Sequence, residues 1–165
     1  MKKTLAIMLA LIMVLALVPT VAFAAGNTIY VDANKGDDTT GKGTETEPYK
    51  TVEAAAKAAA SGDTIMLGEG NYTLYGVSSE KTTKTKDLTF VGQGADKTGW
   101  NIGAVVPDPA NFGTEYNGDY SFDGAGTITF RNMTLQSGAA NYLGFIRADK
   151  TIVENCTVNG KTFYW

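Results

Sequence analysis

Tyr49-Lys50-Thr51-Val52-Glu53-Ala54-Ala55-Ala56-Lys57-Ala58-Ala59-Ala60-Ser61-Gly62-Asp63-Thr64-Ile65-Met66-Leu67-Gly68-Glu69-Gly70-Asn71-Tyr72-Thr73 is the stretch on which the fold turns. Ala54 to Ala60 has high helix propensity. Thr51 can cap it, because its hydroxyl accepts from the first free backbone amides. Gly62 suits a left-handed backbone just past the helix. A nearly all-alanine helix is marginal alone, so this one must lie on something. Thr64 to Leu67 then alternates as a strand, and a glycine turn follows around Gly70.

Working outward, Thr28 to Val31 reads as an earlier strand. Asp32 to Glu47 is polar, carries Gly36, Gly41 and Gly43, and reads as a loop closed by Pro48. Downstream, strands are expected at Asp87–Val91, Trp100–Ile102, Tyr120–Phe122, Thr127–Phe130, Met133–Leu135 and Thr151–Val158. They repeat. Phe130-Arg131-Asn132-Met133-Thr134-Leu135 aligns with Val153-Glu154-Asn155-Cys156-Thr157-Val158 at an offset of 23. Ile65 and Leu67 align with Leu88 and Phe90 at the same offset. A repeat of this length stacks equivalent residues one strand spacing apart, about 4.8 Å. Phe130 then lies over Val153, Met133 over Cys156 and Leu135 over Val158, all inward. Asn132 and Asn155 share a corner, where asparagine tolerates a left-handed backbone. Arg131 and Glu154 meet as an exposed ion pair of small energetic value. Cys156, the single cysteine, is read as a small buried hydrophobe. The period is broken between Gly92 and Gly126, with a projecting loop expected from about Val106 to Gly118.

Val31-Asp32-Ala33-Asn34-Lys35-Gly36-Asp37-Asp38, Gly41 to Thr44, Glu47-Pro48-Tyr49-Lys50-Thr51, Gly62-Asp63-Thr64-Ile65 and Gly70-Asn71-Tyr72 together resemble the start of the pectin-lyase-like β-helix superfamily. The resemblance spans Asn27 to Trp165. It implies an all-β fold: a right-handed, single-stranded parallel β-helix, or solenoid, with an N-terminal capping α-helix. The superfamily holds polysaccharide lyases, glycoside hydrolases and secreted or surface proteins without known activity. Its enzymes carry their catalytic residues on middle and later coils, so none is carried over here. An uncapped last coil exposes a sheet edge. Past Lys161 to Trp165, further coils of the same chain or another protomer are therefore expected, with residues 25–165 the N-terminal coils of a longer domain.

Lys2 and Lys3 precede an uncharged run from Leu5 to Val18, then Pro19 and Ala22-Phe23-Ala24. Residues 1–24 are read as a secretory signal peptide. The run is shorter than the ~20 residues of a bilayer span, so no membrane span is expected after cleavage. The expected location is extracellular, secreted or at the cell surface. Losing Lys2 and Lys3 makes the chain more acidic than the −3 of the whole sequence. That does not suit a nucleic-acid binder, which wants a basic face. The absence of histidine removes the commonest general base and transition-metal ligand.

Asp32, Asp37 and Asp38 share one glycine-rich loop and are the candidate calcium ligands, since calcium takes clustered oxygens; no other cofactor is expected. Trp100, Tyr116 and Tyr120 are the candidate platform for sugar rings, because an aromatic face packs against apolar C–H surface. Lyase chemistry needs a base and a cation, and Arg131, Arg147, Lys150 and Lys161 do not cluster at the repeat offset. The expectation is a non-catalytic, carbohydrate-binding or adhesin-like surface protein whose partner is a polysaccharide or surface glycan. The alternative is the N-terminal part of a polysaccharide lyase or glycoside hydrolase acting on acidic polysaccharide.

Overall fold

In the computed structural model the described residues are 26–74, 79, 81–102, 120–136 and 145–159. The expected leader, the projecting loop and the apolar tail lie outside them. Among the described residues the main elements are β1 (Thr28–Val31), α1 (Val52–Ala58), β2 (Thr64–Leu67), β3 (Gly70–Tyr72), β4 (Leu88–Val91), β5 (Thr98–Asn101), β6 (Tyr120–Ser121), β7 (Thr127–Arg131), β8 (Thr134–Gln136), β9 (Phe145–Ile146), β10 (Lys150–Glu154) and β11 (Thr157–Asn159).

The strands form three sheets, ordered β1-β2-β4-β7-β10, β11-β8-β5-β3 and β6-β9. Every pairing between them is parallel. The chain visits the sheets in turn: β4, β5, β6, then β7, β8, β9, then β10 and β11. The architecture is therefore β-rich and parallel.

Alternation along each strand sends one set of side chains inward. Ile65 and Leu67 of β2, Leu88 and Phe90 of β4, and Ile128 and Phe130 of β7 are buried from the first sheet, as are Tyr72, Trp100 and Leu135 from the second. They meet in one core. Its centre is aromatic: Phe90 and Trp100 have ring centroids 4.9 Å apart, and Trp100 and Phe130 5.2 Å.

α1 lies against β1, the edge strand of the first sheet. Val52, Ala55 and Ala56 face the core, and Ala54 N donates to Thr51 Oγ1 at 3.2 Å. The helix starts at Val52, directly after its expected cap, and ends by Ala58, because Ala59 is already extended. Beyond it Asp63, buried, accepts from Ala60 N and Asn27 N, both at 2.8 Å. That carboxylate fastens the end of the helix to the start of β1.

The register agrees with the 23-residue repeat at one end only. Phe130 pairs with Val153 and Leu135 with Val158. Asn132 and Asn155 both have positive φ, 55° and 51°, and Asn155 Nδ2 donates to Asn132 Oδ1 at 2.8 Å. Arg131 pairs with Glu154 through Nε and Oε2. Between β2 and β4 the register differs from expectation: Ile65 faces Phe90, 25 residues on, not Leu88. A shift of two residues keeps every side chain on the same face, so hydrophobic pattern cannot separate the two registers. Met133 is buried, whereas Cys156 is only partly so, packed against the core with Sγ 3.6 Å from Phe130 O.

Replacing Asn132 with Ala should destabilise the protein by about 1–2 kcal/mol, the cost of a left-handed backbone without glycine or asparagine. Asn132→Gly should cost less. Urea unfolding midpoints of both variants are the check, and an Ala variant as stable as the parent would refute the corner's role.

Candidate functional site

The loop after β1 folds back along that strand. Tyr30 N donates to Gly43 O, Tyr49 N to Tyr30 O and Asp32 N to Tyr49 O, at 2.8 to 3.0 Å. These bonds cover the free edge of β1, which would otherwise be a pairing hazard. Gly36 is packed so closely that a Cβ there would run into Tyr49 O and Asp32 O.

The three loop aspartates are not brought together as a cation site. Each carboxylate is committed to a different stretch of backbone. Asp32 Oδ1 accepts from Asn34 N and Lys35 N at 2.9 and 3.0 Å. Asp37 Oδ1 accepts from Thr39 N and Thr40 N at 2.7 and 2.8 Å. Asp38 accepts from Lys50 N, Thr51 N and Thr51 Oγ1 at 2.7 to 3.0 Å. Among the described residues no group of three His, Cys, Asp or Glu could hold a metal ion. Asp32, Asp37 and Asp38, the expected calcium ligands, serve here as turn-makers.

Of the expected aromatic platform, the structure describes the Trp100 side chain. Trp100 is 0% exposed and points into the core against Phe90 and Phe130, so its faces cannot meet a ligand. Tyr116 lies outside the described residues. The Tyr120 backbone pairs with Phe145 between β6 and β9.

A different aromatic residue occupies an accessible position. Tyr30 and Met66 face each other across β1 and β2, and both alternate with buried neighbours, so they lie on the outer face of the first sheet. They line a cavity of about 340 Å³ with Asp32, Lys35, Pro48 and Gln93. That volume is at the small end of ligand pockets. The ring and thioether supply an apolar floor. Gln93 Nε2 donates to Leu67 O at 3.0 Å, which leaves its Oε1 as an acceptor. Lys35 and Glu45, also on the rim, form no salt bridge among the described residues. Behind the loop, Ala33 N donates to the Tyr72 hydroxyl at 3.2 Å, and burial pushes that phenol above its ordinary pKa. Sequence reasoning missed Tyr30 because a tyrosine inside a short strand looks like any other strand residue.

No family model matches this chain, and neither a curated protein nor a solved structure matches it.

The Asp37 carboxyl is held below its ordinary value by the Thr40 amide first, then the Thr39 amide, the Thr40 hydroxyl and the Lys50 charge. A depressed folded-state pKa stabilises above the unfolded value and is lost as pH falls through the folded one. Asp37→Asn should therefore lower the melting temperature at pH 7 and converge on the parent well below pH ~3.8. Melting curves at both pH values decide it, and an equal deficit at low pH would show that charge is not the cause.

Proposed function

We propose that this chain is part of a right-handed, single-stranded parallel β-helix, its N-terminal end covered by α1. Its function is non-catalytic: it is a secreted or cell-surface protein that binds glycan, in the manner of an adhesin. The fold reading is supported by parallel strands that visit three sheets in rotation around one core. The leader reading rests on residues 1–24, and the mature N-terminus should fall near Ala25 when the secreted protein is sequenced from its amino end.

One observation carries the binding reading: an aromatic ring, Tyr30, beside Met66 on the floor of a cavity rimmed by amide, carboxylate and ammonium groups. Sugars present C–H faces and hydroxyl edges together, so an apolar floor with a polar rim complements both. Asp32 already accepts two backbone amides through Oδ1, which holds it as a fixed acceptor.

A glycan array probed with the purified protein should identify bound sugars. Tyr30→Ala should then weaken binding roughly tenfold, a change of about 1.4 kcal/mol. Tyr30→Phe should retain most of the affinity, because stacking survives. A silent array, or a Tyr30→Ala variant that binds as tightly as the parent, would remove the support for this reading.

A further inference from the structure

The second sheet has an outer face of unusual composition. Its inward column is Tyr72, Trp100 and Leu135, all buried. The outward residues on one side of that column are Asn71, Gly99, Thr134 and Thr157, in register across β3, β5, β8 and β11. On the other side Asn101, Gln136 and Asn159 align across β5, β8 and β11. No member of either column is charged, and none has a large apolar side chain. Lys97 and Glu69, just before β5 and β3, pair with each other at 3.0 Å.

The amides are fixed in place. Gln136 Nε2 donates to Asn71 Oδ1 at 2.9 Å and to Asn101 Oδ1 at 2.6 Å. Those two bonds use both of its hydrogens. Gly99 makes the arrangement possible: a Cβ there would run into Asn71 Oδ1 and lie 3.0 Å from Gln136 Nε2. Asn71 Nδ2, Asn101 Nδ2 and Gln136 Oε1 have no protein partner among the described residues. Asn159, exposed on the next strand, continues the row.

From this geometry we propose a second binding surface, on the outer face of β3, β5, β8 and β11, for an uncharged, hydroxyl-rich polysaccharide lying across the strands. Hydroxyls both donate and accept, matching amides that present donors and acceptors side by side. The Gln136 bridge holds the asparagines before any ligand arrives, which lowers the ordering cost of binding. An acidic chain would bring carboxylates to a face without a cation to meet them, and would lose their hydration without compensation. Four strands span roughly 14 Å at the usual spacing, so the ligand is a chain and not a single sugar. This surface is separate from the Tyr30 cavity on the first sheet and does not depend on it.

Affinity gel electrophoresis tests the proposal, with hydroxyethylcellulose, galactomannan or soluble starch in the gel as uncharged probes and polygalacturonate as the acidic one. At least one uncharged polymer should retard the protein, and polygalacturonate should not. Gln136→Glu keeps the shape but replaces both amide donors with acceptors and adds charge, so retardation should fall at least tenfold. Asn159→Ala lies outside the hydrogen-bonded network; its melting temperature should match the parent while retardation falls about threefold. Tyr30→Ala should migrate as the parent does. The proposal is overturned if no uncharged polymer retards the protein, if polygalacturonate retards it equally, or if both amide variants behave as the parent. Loss of retardation in Tyr30→Ala alone would uphold the cavity and overturn this surface.

Discussion

The contact between Phe90 and Trp100 joins the two main sheets, with ring centroids 4.9 Å apart and planes inclined at 59°. Phe122 and Phe130 complete the cluster, within 6 Å of both rings. Such pairs contribute about 0.5–1.5 kcal/mol each beyond area burial. The cluster carries a cost: among the described residues buried Trp100 Nε1 has no hydrogen-bond partner, a penalty of about 1–3 kcal/mol. A smaller apolar residue would avoid the penalty and leave a cavity, which costs about 3–5 kcal/mol when an aromatic side chain is truncated. Size therefore wins over polarity at this position. Because Trp100 points in, its strand neighbours Gly99 and Asn101 point out, and the character of the outer face follows from the packing of the inner one.

The acidic residues serve the backbone. Asp32, Asp37 and Asp38 each terminate free amides in the long loop, and buried Asp63 ties α1 to β1. These are short-range, directional bonds to charged acceptors, stronger than neutral ones. Lys86 belongs to the same economy. Its ammonium donates to Ala56 O at 2.7 Å, and burial lowers its pKa although Asp63 acts to raise it. Carboxylates engaged in this way hold the N-terminal end of the sheets closed, and they are poorly placed to gather around a cation.

Local features were readable from the sequence, and stacked ones only where a repeat was uninterrupted. The Thr51 cap, the alanine face of α1 and the strand at Thr64–Leu67 depend on neighbours within a few residues. The Asn132–Asn155 corner and the Arg131–Glu154 pair come from two segments of the same pattern with nothing inserted between equivalent positions. Elsewhere the spacing between paired strands varies: Ile29 pairs with Ile65, and Phe90 with Phe130. Insertions of that size erase the period. β3 looks like a turn in the sequence because Gly70-Asn71-Tyr72 is short and begins with glycine. Trp100 looks like a ligand platform because composition does not say which side of a strand faces in. The amide row left no local trace at all, since Asn101 and Gln136 are brought together only by register.

Facing inward is a property of register, whereas burial is a property of what lies on the next strand. Val153 and Val158 occupy the same inward columns as Phe130 and Leu135. Yet they are 46% and 60% exposed, against 0% and 3% for their partners. The chemistry of each column is thus set one strand at a time, and each strand depends on its neighbours to bury it. Outward columns obey the opposite rule. They gain nothing from a covering strand and are free to carry whatever a ligand requires. In a stack of parallel strands this freedom repeats at every level, so a binding surface can be assembled from residues far apart in sequence without altering the core. The uncharged row on the second sheet and the Tyr30–Met66 pair on the first both lie in such outward columns.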